Sequence, residues 1–291
     1  MTITASRFFS TDPGQLTPEV EDRFFTALKT GNNTFKRTAS DRFERLDERC
    51  AQRFRKTGTV LREVLDIGIS SGATTLALSE CLNRAGQNPR ITGTDLSLTA
   101  YLLPVGGGMQ VLVDEQGNPM QYEMFGRALR AWTRRADYFT GMIGVHGLLR
   151  MATRGAIRRQ LERGDREGHA VRLLTPRLLR HPDISIEKND IFQRTEHFES
   201  RFDFIRAANI LNRGYFDEAA LRLALTNVAR YLAGPGAWLL VGRTSRSGTA
   251  STLFRVAPDG RRFVLVERSA GGSEIERLVL STPVPPAAAA A

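Results

Sequence analysis

One short stretch of the chain places an acidic residue and then small residues at every second position. Asp66, Gly68, Ser70 and Gly72 occupy these positions, after an apolar run that begins at Val64. The pattern predicts a buried strand, a tight glycine turn and the start of a helix. That arrangement presents backbone N–H groups and a helix N-terminus to a bound ligand. The stretch therefore predicts a nucleotide-type ligand site at the end of a strand.

This spacing resembles motif I of class I S-adenosylmethionine (SAM)-dependent methyltransferases, which is written E/D-x-G-x-G-x-G. Ser70 stands where the motif has its middle glycine. The resemblance implies that Asp66 helps to hold the methionine end of SAM. Gly68 and Gly72 would let the backbone approach the ligand, because a Cβ would collide with it. SAM is the cofactor that this resemblance predicts.

Two further strand ends carry acidic residues. Asp95, followed by Leu96, ends a second predicted strand, and a carboxylate there can accept two hydrogen bonds from a ribose diol. Asp190 and Ile191 follow a third predicted strand and resemble the acidic-apolar pair that contacts adenine in this superfamily. The alternative for each acidic residue is a plain turn or cap at a strand end.

The segment from Arg206 to Phe216 is similar to the N-x-L-x-Y-F segment of chemotaxis-receptor carboxyl methyltransferases. The resemblance implies that Asn209 places an amide beside the sulfonium and that Tyr215 lines the substrate side. It covers residues 61–100 and 184–245, and we do not transfer that family's protein substrate.

A general base is needed only if the methyl acceptor must lose a proton. Of the four histidines, His146 is the candidate for this role, and the alternative is a core or surface histidine. Cys50 and Cys81 have no metal-ligand spacing, and we predict no metal site.

The predicted fold is α/β, with a Rossmann-like, seven-stranded, mostly parallel sheet and an antiparallel C-terminal hairpin. Five strand patterns precede the hairpin, which itself pairs 252–256 with 262–267, and 274–280 is a further strand candidate. The five patterns are Leu61–Ile67, Arg90–Asp95, Ile184–Asn189, Arg201–Ala207 and Ala237–Val241.

The pattern divides the chain into five segments. Residues 1–58 are predicted as a helical cap over the ligand site, with helices from Thr17 to Lys29 and from Ser40 to Lys56. Residues 59–100 and 181–282 form the α/β domain, and 283–291 form a disordered tail. Between them, 101–180 is a long insertion after the second strand, with a hairpin (108–113 and 120–125) and a basic helical region at 127–163.

Positive charge is concentrated in this insertion. The 291-residue chain carries a net charge of +10, and the segment from Arg127 to Arg180 holds 13 arginines against 4 acidic residues.

Apolar residues between Met142 and Met151 lie beside Arg150, Arg154, Arg158 and Arg159. Such a helix is typical of contact with an anionic membrane surface. It could also close over a bulky apolar or acidic small molecule, or pack on the core as a solvated lid. The segment contains no recognisable nucleic-acid module, which disfavours nucleic acid as a partner.

These features favour a SAM-dependent methyltransferase with a small-molecule or lipid-like acceptor, bound by the insertion and the N-terminal helices. Protein or RNA methylation by the same fold is one alternative, and a SAM-fold module that binds without turnover is another. The start of the chain lacks an apolar signal core, and no apolar run approaches about 18 residues. We therefore expect a cytoplasmic protein, with peripheral membrane contact through 127–163.

Overall fold

The computed structural model describes residues 3–29, 43–133, 137, 139–162, 169–245 and 248–286. Within them, the helices are α1 (Ala5–Ser10), α2 (Pro18–Thr26), α3 (Glu44–Lys56), α4 (Ala73–Arg84), α5 (Met142–Glu162), α6 (Pro176–Leu179), α7 (Glu218–Tyr231) and α8 (Glu276–Ser281). The strands are β1 (Glu63–Ile67), β2 (Arg90–Asp95), β3 (Thr99–Gly106), β4 (Met109–Asp114), β5 (Pro119–Met124), β6 (Arg127–Arg130), β7 (Ala170–Arg172), β8 (Ile184–Lys188), β9 (Phe204–Ala208), β10 (Trp238–Ser245), β11 (Gly248–Val256) and β12 (Phe263–Ser269).

The chain forms two compact units. The first contains residues 1–40, 70–73 and 97–177, and the second contains residues 41–69, 74–96 and 178–291. Each unit is built around its own sheet.

The sheet of the second unit has seven strands in the order β12-β11-β10-β9-β1-β2-β8. Strands β8, β2, β1, β9 and β10 are parallel, β11 is antiparallel to β10, and β12 is antiparallel to β11. All five residues of β9 are buried, as a central parallel strand requires. The predicted seven-stranded, mostly parallel sheet with an antiparallel C-terminal hairpin is confirmed.

Successive side chains of the central strands lie on opposite faces of this sheet. Leu65, Ile205 and Leu239 lie on one face and pack with α7 and α8 in the main core. Phe204 and Trp238 lie on the other face, where the ring of Phe54 from α3 contacts both, at centroid distances of 5.1 and 5.4 Å. Helix α7 begins after Asp217, which caps it by accepting a hydrogen bond from Ala220 N at 2.8 Å.

The sheet of the first unit has five strands in the order β6-β5-β4-β3-β7, all antiparallel. Its turn between β4 and β5 is fixed by Asp114, whose Oδ1 accepts hydrogen bonds from the backbone N–H groups of Gln116 and Asn118. One core on this sheet contains Phe8 of α1 and Phe24 of α2, and a separate core contains Leu149 and Ile157 of α5.

The structure groups the N-terminal helices differently from the predicted 1–58 cap. Helices α1 and α2 belong to the first unit, whereas α3 belongs to the second. Side chains of β5 hold the start of α1, since Gln121 Oε1 accepts a hydrogen bond from Ala5 N at 2.7 Å and Glu123 accepts from Ser6. Thr17 caps α2 as predicted. Residues 40–42, where the second predicted helix begins, lie outside the described residues.

Two local predictions were wrong. Residues 274–280 contain helix α8 and no strand, because Ile275, Leu278 and Val279 have helical spacing and bury one face. The predicted helical region at 127–163 begins with strand β6, which pairs with β5 across the turn of Phe125 and Gly126, both with positive φ. Within the predicted disordered tail, Val284 is buried in the main core and donates its N–H to Arg261 O, whereas residues 287–291 lie outside the described residues.

We predict that Val284→Ala lowers the free energy of unfolding by about 1–2 kcal/mol, because the substitution removes buried methyl groups and leaves a void. The matched control is Val60→Ala at a position that is 69% exposed, where we expect a change within about 0.5 kcal/mol. Urea denaturation measures both variants. Equal stability of the two would show that the end of the chain does not contribute to the core.

Candidate functional site

The central feature of the second unit is its topological switch point, where the connection from one strand goes to one side of β1 and a later connection goes to the other side. Strand β1 lies between β2 and β9, so the chain leaves β1 to one side and returns to the other. In open α/β sheets, ligands bind at the carboxyl ends of the strands at such a switch point. Residues 68–72, 95–96, 189–191 and 209–215 all follow carboxyl ends of these strands. The structure therefore places the predicted cofactor residues on one edge of the sheet or in the loops that leave it.

The turn after β1 is held by the neighbouring strand. The backbone N–H groups of Gly68 and Ile69 donate to Thr94 O of β2, at 2.7 and 3.0 Å. Gly68 has a φ of +75°, and a Cβ built on it would lie 3.3 Å from Ile210. Position 68 therefore requires glycine for its backbone conformation and for its contact with the segment after β9.

Ser70 has a φ of +59°, in the left-handed region that favours glycine. The methyltransferase motif that this turn resembles has glycine at this position, and Ser70 adopts a conformation that glycine favours. Gly72 also has positive φ. By their contacts, residues 70–73 belong to the first unit.

Asp66 has partners different from those that the sequence predicts. Its side chain is buried, and its two oxygens accept hydrogen bonds from Arg206 Nε and Nη2, at 2.9 and 2.6 Å. Thr75 Oγ1 donates to the same carboxylate at 2.7 Å. This two-point ion pair ties the end of β1 to β9 and to the first turn of α4. We therefore leave Asp66 out of the proposed cofactor contacts.

Arg206 also pairs with a second buried carboxylate. Its Nη1 donates to Asp47 Oδ2 of α3 at 2.7 Å, and its Nη2 donates to Thr74 O at 3.0 Å. The guanidinium carbon lies 5.6 Å from the ring centroid of Phe43. We call Asp47, Asp66 and Arg206 the buried ion triad. Its three side chains are at most 3% exposed.

The triad contains two carboxylates and one guanidinium, so it carries one excess negative charge when all three groups are ionised. Burial alone lowers the pKa of Arg206, but the two carboxylates outweigh it and raise that pKa. Burial raises the pKa of Asp47 to about 6, although Arg206 opposes the shift. Asp47 Oδ1 has no hydrogen-bond partner among the described residues. Asp47 is therefore the member of the triad that takes up a proton as the pH falls.

Asp95 lies at the carboxyl end of β2, next to the turn that follows β1. Its carbonyl oxygen accepts a hydrogen bond from Asn189 N at 3.2 Å, which links this edge to the loop after β8. Asp95 is half-buried, and the following Leu96 is exposed on 54% of its surface. The edge thus presents an acidic residue and an accessible apolar side chain side by side.

Asp190 and Ile191 have clear local roles in the loop after β8. Asp190 Oδ1 accepts a hydrogen bond from Phe192 N at 3.0 Å, which is the turn geometry that the cap alternative predicts. Ile191 is buried in the main core, and its carbonyl oxygen accepts from Asn227 Nδ2. Contact of either residue with adenine stays a prediction.

Asn209 joins the ends of β9 and β10. Its backbone N–H donates to Gly242 O at 2.8 Å, and its Oδ1 accepts from Thr244 N at 2.6 Å. Its φ is +63°, a conformation that asparagine tolerates better than most residues. The predicted contact of Asn209 with a sulfonium stays a prediction, as does the substrate role of Tyr215, which is 60% exposed.

His146 lies on α5 in the first unit. It is buried, and neither ring nitrogen has a hydrogen-bond partner among the described residues. Burial lowers the pKa of His146, the charge of Asp137 opposes this shift, and Arg130 and Arg150 reinforce it. The imidazole is thus held in the neutral form that a general base requires, and this role stays a prediction.

Two structural features are absent from the described residues. No group of three or more histidine, cysteine, aspartate or glutamate side chains there could hold a metal ion. None of the described helices is both long and apolar enough to cross a membrane.

Sequence reasoning missed Asp47 and Arg206, although both left a recognisable pattern. Asp47 falls on the same helical face as Phe43, Cys50 and Phe54, where a charged residue is unexpected. Arg206 interrupts an otherwise apolar central strand. A charged residue on each of two buried surfaces predicts that the two pair with each other.

No family model matches the chain, and no curated protein matches it. Among solved structures, it is similar to the N-methyltransferase NodS from Bradyrhizobium japonicum WM9 in complex with S-adenosylhomocysteine (SAH). The identity is 19% over 70% of this chain and 64% of NodS, with a TM-score of 0.32. The SAM-bound aminopentose methyltransferase CalS10 from Micromonospora echinaspora gives 12% identity over 76% of this chain and 66% of CalS10, with a TM-score of 0.34.

The CMeT domain of the citrinin polyketide synthase gives 16% identity over 81% of this chain and 43% of that structure, with a TM-score of 0.37. The chain thus spans less than two thirds of NodS and less than half of the citrinin synthase structure. Because these TM-scores are below 0.5, the likenesses carry no argument, and the description of the fold rests on the strand order.

We predict that Arg206→Met lowers the free energy of unfolding by about 3–5 kcal/mol, because it leaves two carboxylates buried without their partner. The triple variant Asp47→Asn/Asp66→Asn/Arg206→Met should recover part of this loss, since no unpaired charge then remains. Chemical denaturation measures both. If the triple variant were no more stable than Arg206→Met, unpaired buried charge would not be the cause of the loss.

The triad also predicts a specific pH dependence. The folded protein binds the Asp47 proton more tightly than the unfolded chain does, because burial raises the pKa of Asp47 from 3.8 to about 6. This contribution to stability is complete below pH 4 and is lost as the pH rises through about 6. The unfolding free energy of the wild type minus that of Asp47→Asn should therefore fall by roughly 2–3 kcal/mol between pH 4 and pH 7. A difference that stays constant or rises with pH would contradict the role of Asp47.

Proposed function

We propose that the protein is a SAM-dependent methyltransferase with a small-molecule or lipid-like acceptor. The observation that carries the proposal is the pairing of two features at the switch point of the sheet. A glycine turn follows β1, and Asp95 ends the adjacent strand β2. This is where a nucleoside ligand binds in an open α/β sheet, with its sugar at the acidic residue.

The residues at this edge fit an adenosyl group in three respects. The half-buried Asp95 supplies a carboxylate for a ribose diol, and the exposed Leu96 supplies an apolar surface beside it. Gly68 keeps the backbone close to the strand ends, because its turn donates two hydrogen bonds to β2. The methionine end of SAM cannot rely on Asp66, because the buried ion triad uses that carboxylate. We propose that Asp190, Ile191 and Asn209 complete the contacts in the second unit.

When bound, SAM would supply an electrophilic methyl group on a sulfonium. The chain's own part is then to align the acceptor with this group and to keep water away. Alignment of two reactants can supply much of the rate enhancement without acid or base chemistry. For an acceptor that must lose a proton, His146 remains the candidate base, because its imidazole is held neutral.

The first test is the binding of SAM and SAH by calorimetry. Asp95→Ala should weaken the binding of both roughly 10- to 100-fold, because it removes two hydrogen bonds to a charged group. The matched control is Asp183→Ala, which removes an exposed carboxylate just before β8. This residue lies at the amino ends of the parallel strands, whereas Asp95 lies at their carboxyl ends. We expect the control to bind like the wild type.

Absence of binding by either compound would end the proposal. Equal affinity of Asp95→Ala and the wild type would remove the ribose role of Asp95. Methyl transfer from radiolabelled SAM to a small-molecule extract, compared with protein and RNA fractions, then identifies the acceptor class. Tight binding of SAM without transfer to any fraction would favour a binding module of the same fold.

A further inference from the structure

Helix α5 uses only one of its faces inside the first unit. His146, Leu149, Thr153 and Ile157 are its buried residues, and their spacing of three or four places them on one side. The other side of the 21-residue helix faces solvent.

The exposed side begins with apolar residues. Leu148 is 68% exposed and Met151 is 76% exposed, and Ile143 and Val145 are also exposed. Phe139, just before the helix, is 92% exposed. Single exposed apolar residues are ordinary, but several in three turns of one helix indicate a contact surface.

Three glycines lie on the exposed part of this helix, although no packing contact requires a residue without a side chain there. Gly144, Gly147 and Gly155 are exposed, and a Cβ built on any of them would have no neighbour within 4 Å. Each glycine makes the helix less stable than alanine would, by about 1 kcal/mol in a helix interior. Because these glycines have no side chains, the side chains of Leu148 and Met151 protrude from the helix surface.

Four arginines accompany the apolar residues along the helix. Arg150, Arg154, Arg158 and Arg159 are all exposed, and Glu162, which pairs with Arg158, is the only acidic residue in α5. A helix with one face anchored, exposed leucine and methionine in its first three turns and exposed arginines from Arg150 onward has the composition of helices that lie in a membrane interface. The arginines require that the surface be anionic.

We propose that the outer face of α5 docks on an anionic lipid surface, with Leu148 and Met151 entering the interface and the four arginines contacting lipid phosphates. An anionic bilayer offers an apolar phase for Leu148 and Met151 and negative charge for the four arginines. A second copy of the chain fits poorly, since two such faces would bring their arginines together. A nucleic acid would leave Leu148 and Met151 in water.

The test is flotation with vesicles of phosphatidylcholine alone and of phosphatidylcholine with 30% phosphatidylserine. We expect binding to the anionic vesicles only, weakened by raising NaCl from 0.1 to 0.5 M because salt screens surface charge. Arg150→Gln/Arg154→Gln/Arg158→Gln/Arg159→Gln should reduce binding by about 600-fold, since each of the four arginines contributes about fivefold. Leu148→Ser/Met151→Ser should reduce it about tenfold while keeping the charge.

The matched control replaces four exposed arginines of the second unit by glutamine, at Arg45, Arg55, Arg62 and Arg261. It has the same net charge as the α5 variant, and we expect it to bind like the wild type. An equal loss in the control would show that only the total charge matters and would overturn the proposal.

Two other results would also overturn it. One is equal binding to both kinds of vesicle, and the other is a dimer that forms through α5 without lipid, seen by sedimentation velocity. Circular dichroism checks that each variant is folded. If the arginine variant does not fold, the serine variant and the salt dependence of the wild type decide the question. SAM binding by the arginine variant should be unchanged, so failure here is distinct from failure of the proposed function.

Discussion

The buried ion triad is the interaction on which the arrangement of the second unit depends. Arg206 of β9 binds Asp66 of β1 and Asp47 of α3, and it also contacts the first turn of α4 through Thr74 O. It therefore joins the two strands that flank the switch point to two helices on one face of the sheet. Two carboxylates and a guanidinium are costly to bury, and only mutual hydrogen bonding offsets that cost. A geometry with so many charge-assisted bonds leaves little freedom in the relative position of β1 and β9.

This constraint changes how the glycine-rich motif is understood. From the sequence, Asp66 looks like a ligand residue because it occupies the acidic position of motif I. In the structure, its carboxylate points into the protein and fixes the strand from which the turn departs. The ligand-facing part of the motif is then the backbone after Gly68, together with Asp95 on the next strand. Backbone strain supports this division, since Ser70 and Asn209 both have positive φ in the loops that follow β1 and β9.

The sequence was sufficient for elements with strong local patterns. The five parallel strands depend on uniform burial, and the helix start at Thr17 depends on a contact between residues near in sequence. The wrong predictions depend on packing between distant parts of the chain. The sequence of residues 274–280 is compatible with a short apolar strand and with a helix. Only the burial of Leu278 and Val279 in the main core distinguishes the two. Asp47 and Arg206 lie 159 positions apart, and the only sign of their pairing in the sequence is a charged residue on each of two otherwise apolar surfaces.

The insertion illustrates why domain boundaries were harder to predict than strands. Its five-stranded antiparallel sheet has two apolar faces, so it needs cover on both sides. Helix α5, from the insertion itself, covers one face, and α1 and α2, from the start of the chain, cover the other. A boundary drawn along the sequence would therefore leave one sheet face open to water. The same division applies within α5, because its buried residues complete a core of the first unit and its outer residues are not needed for that fold.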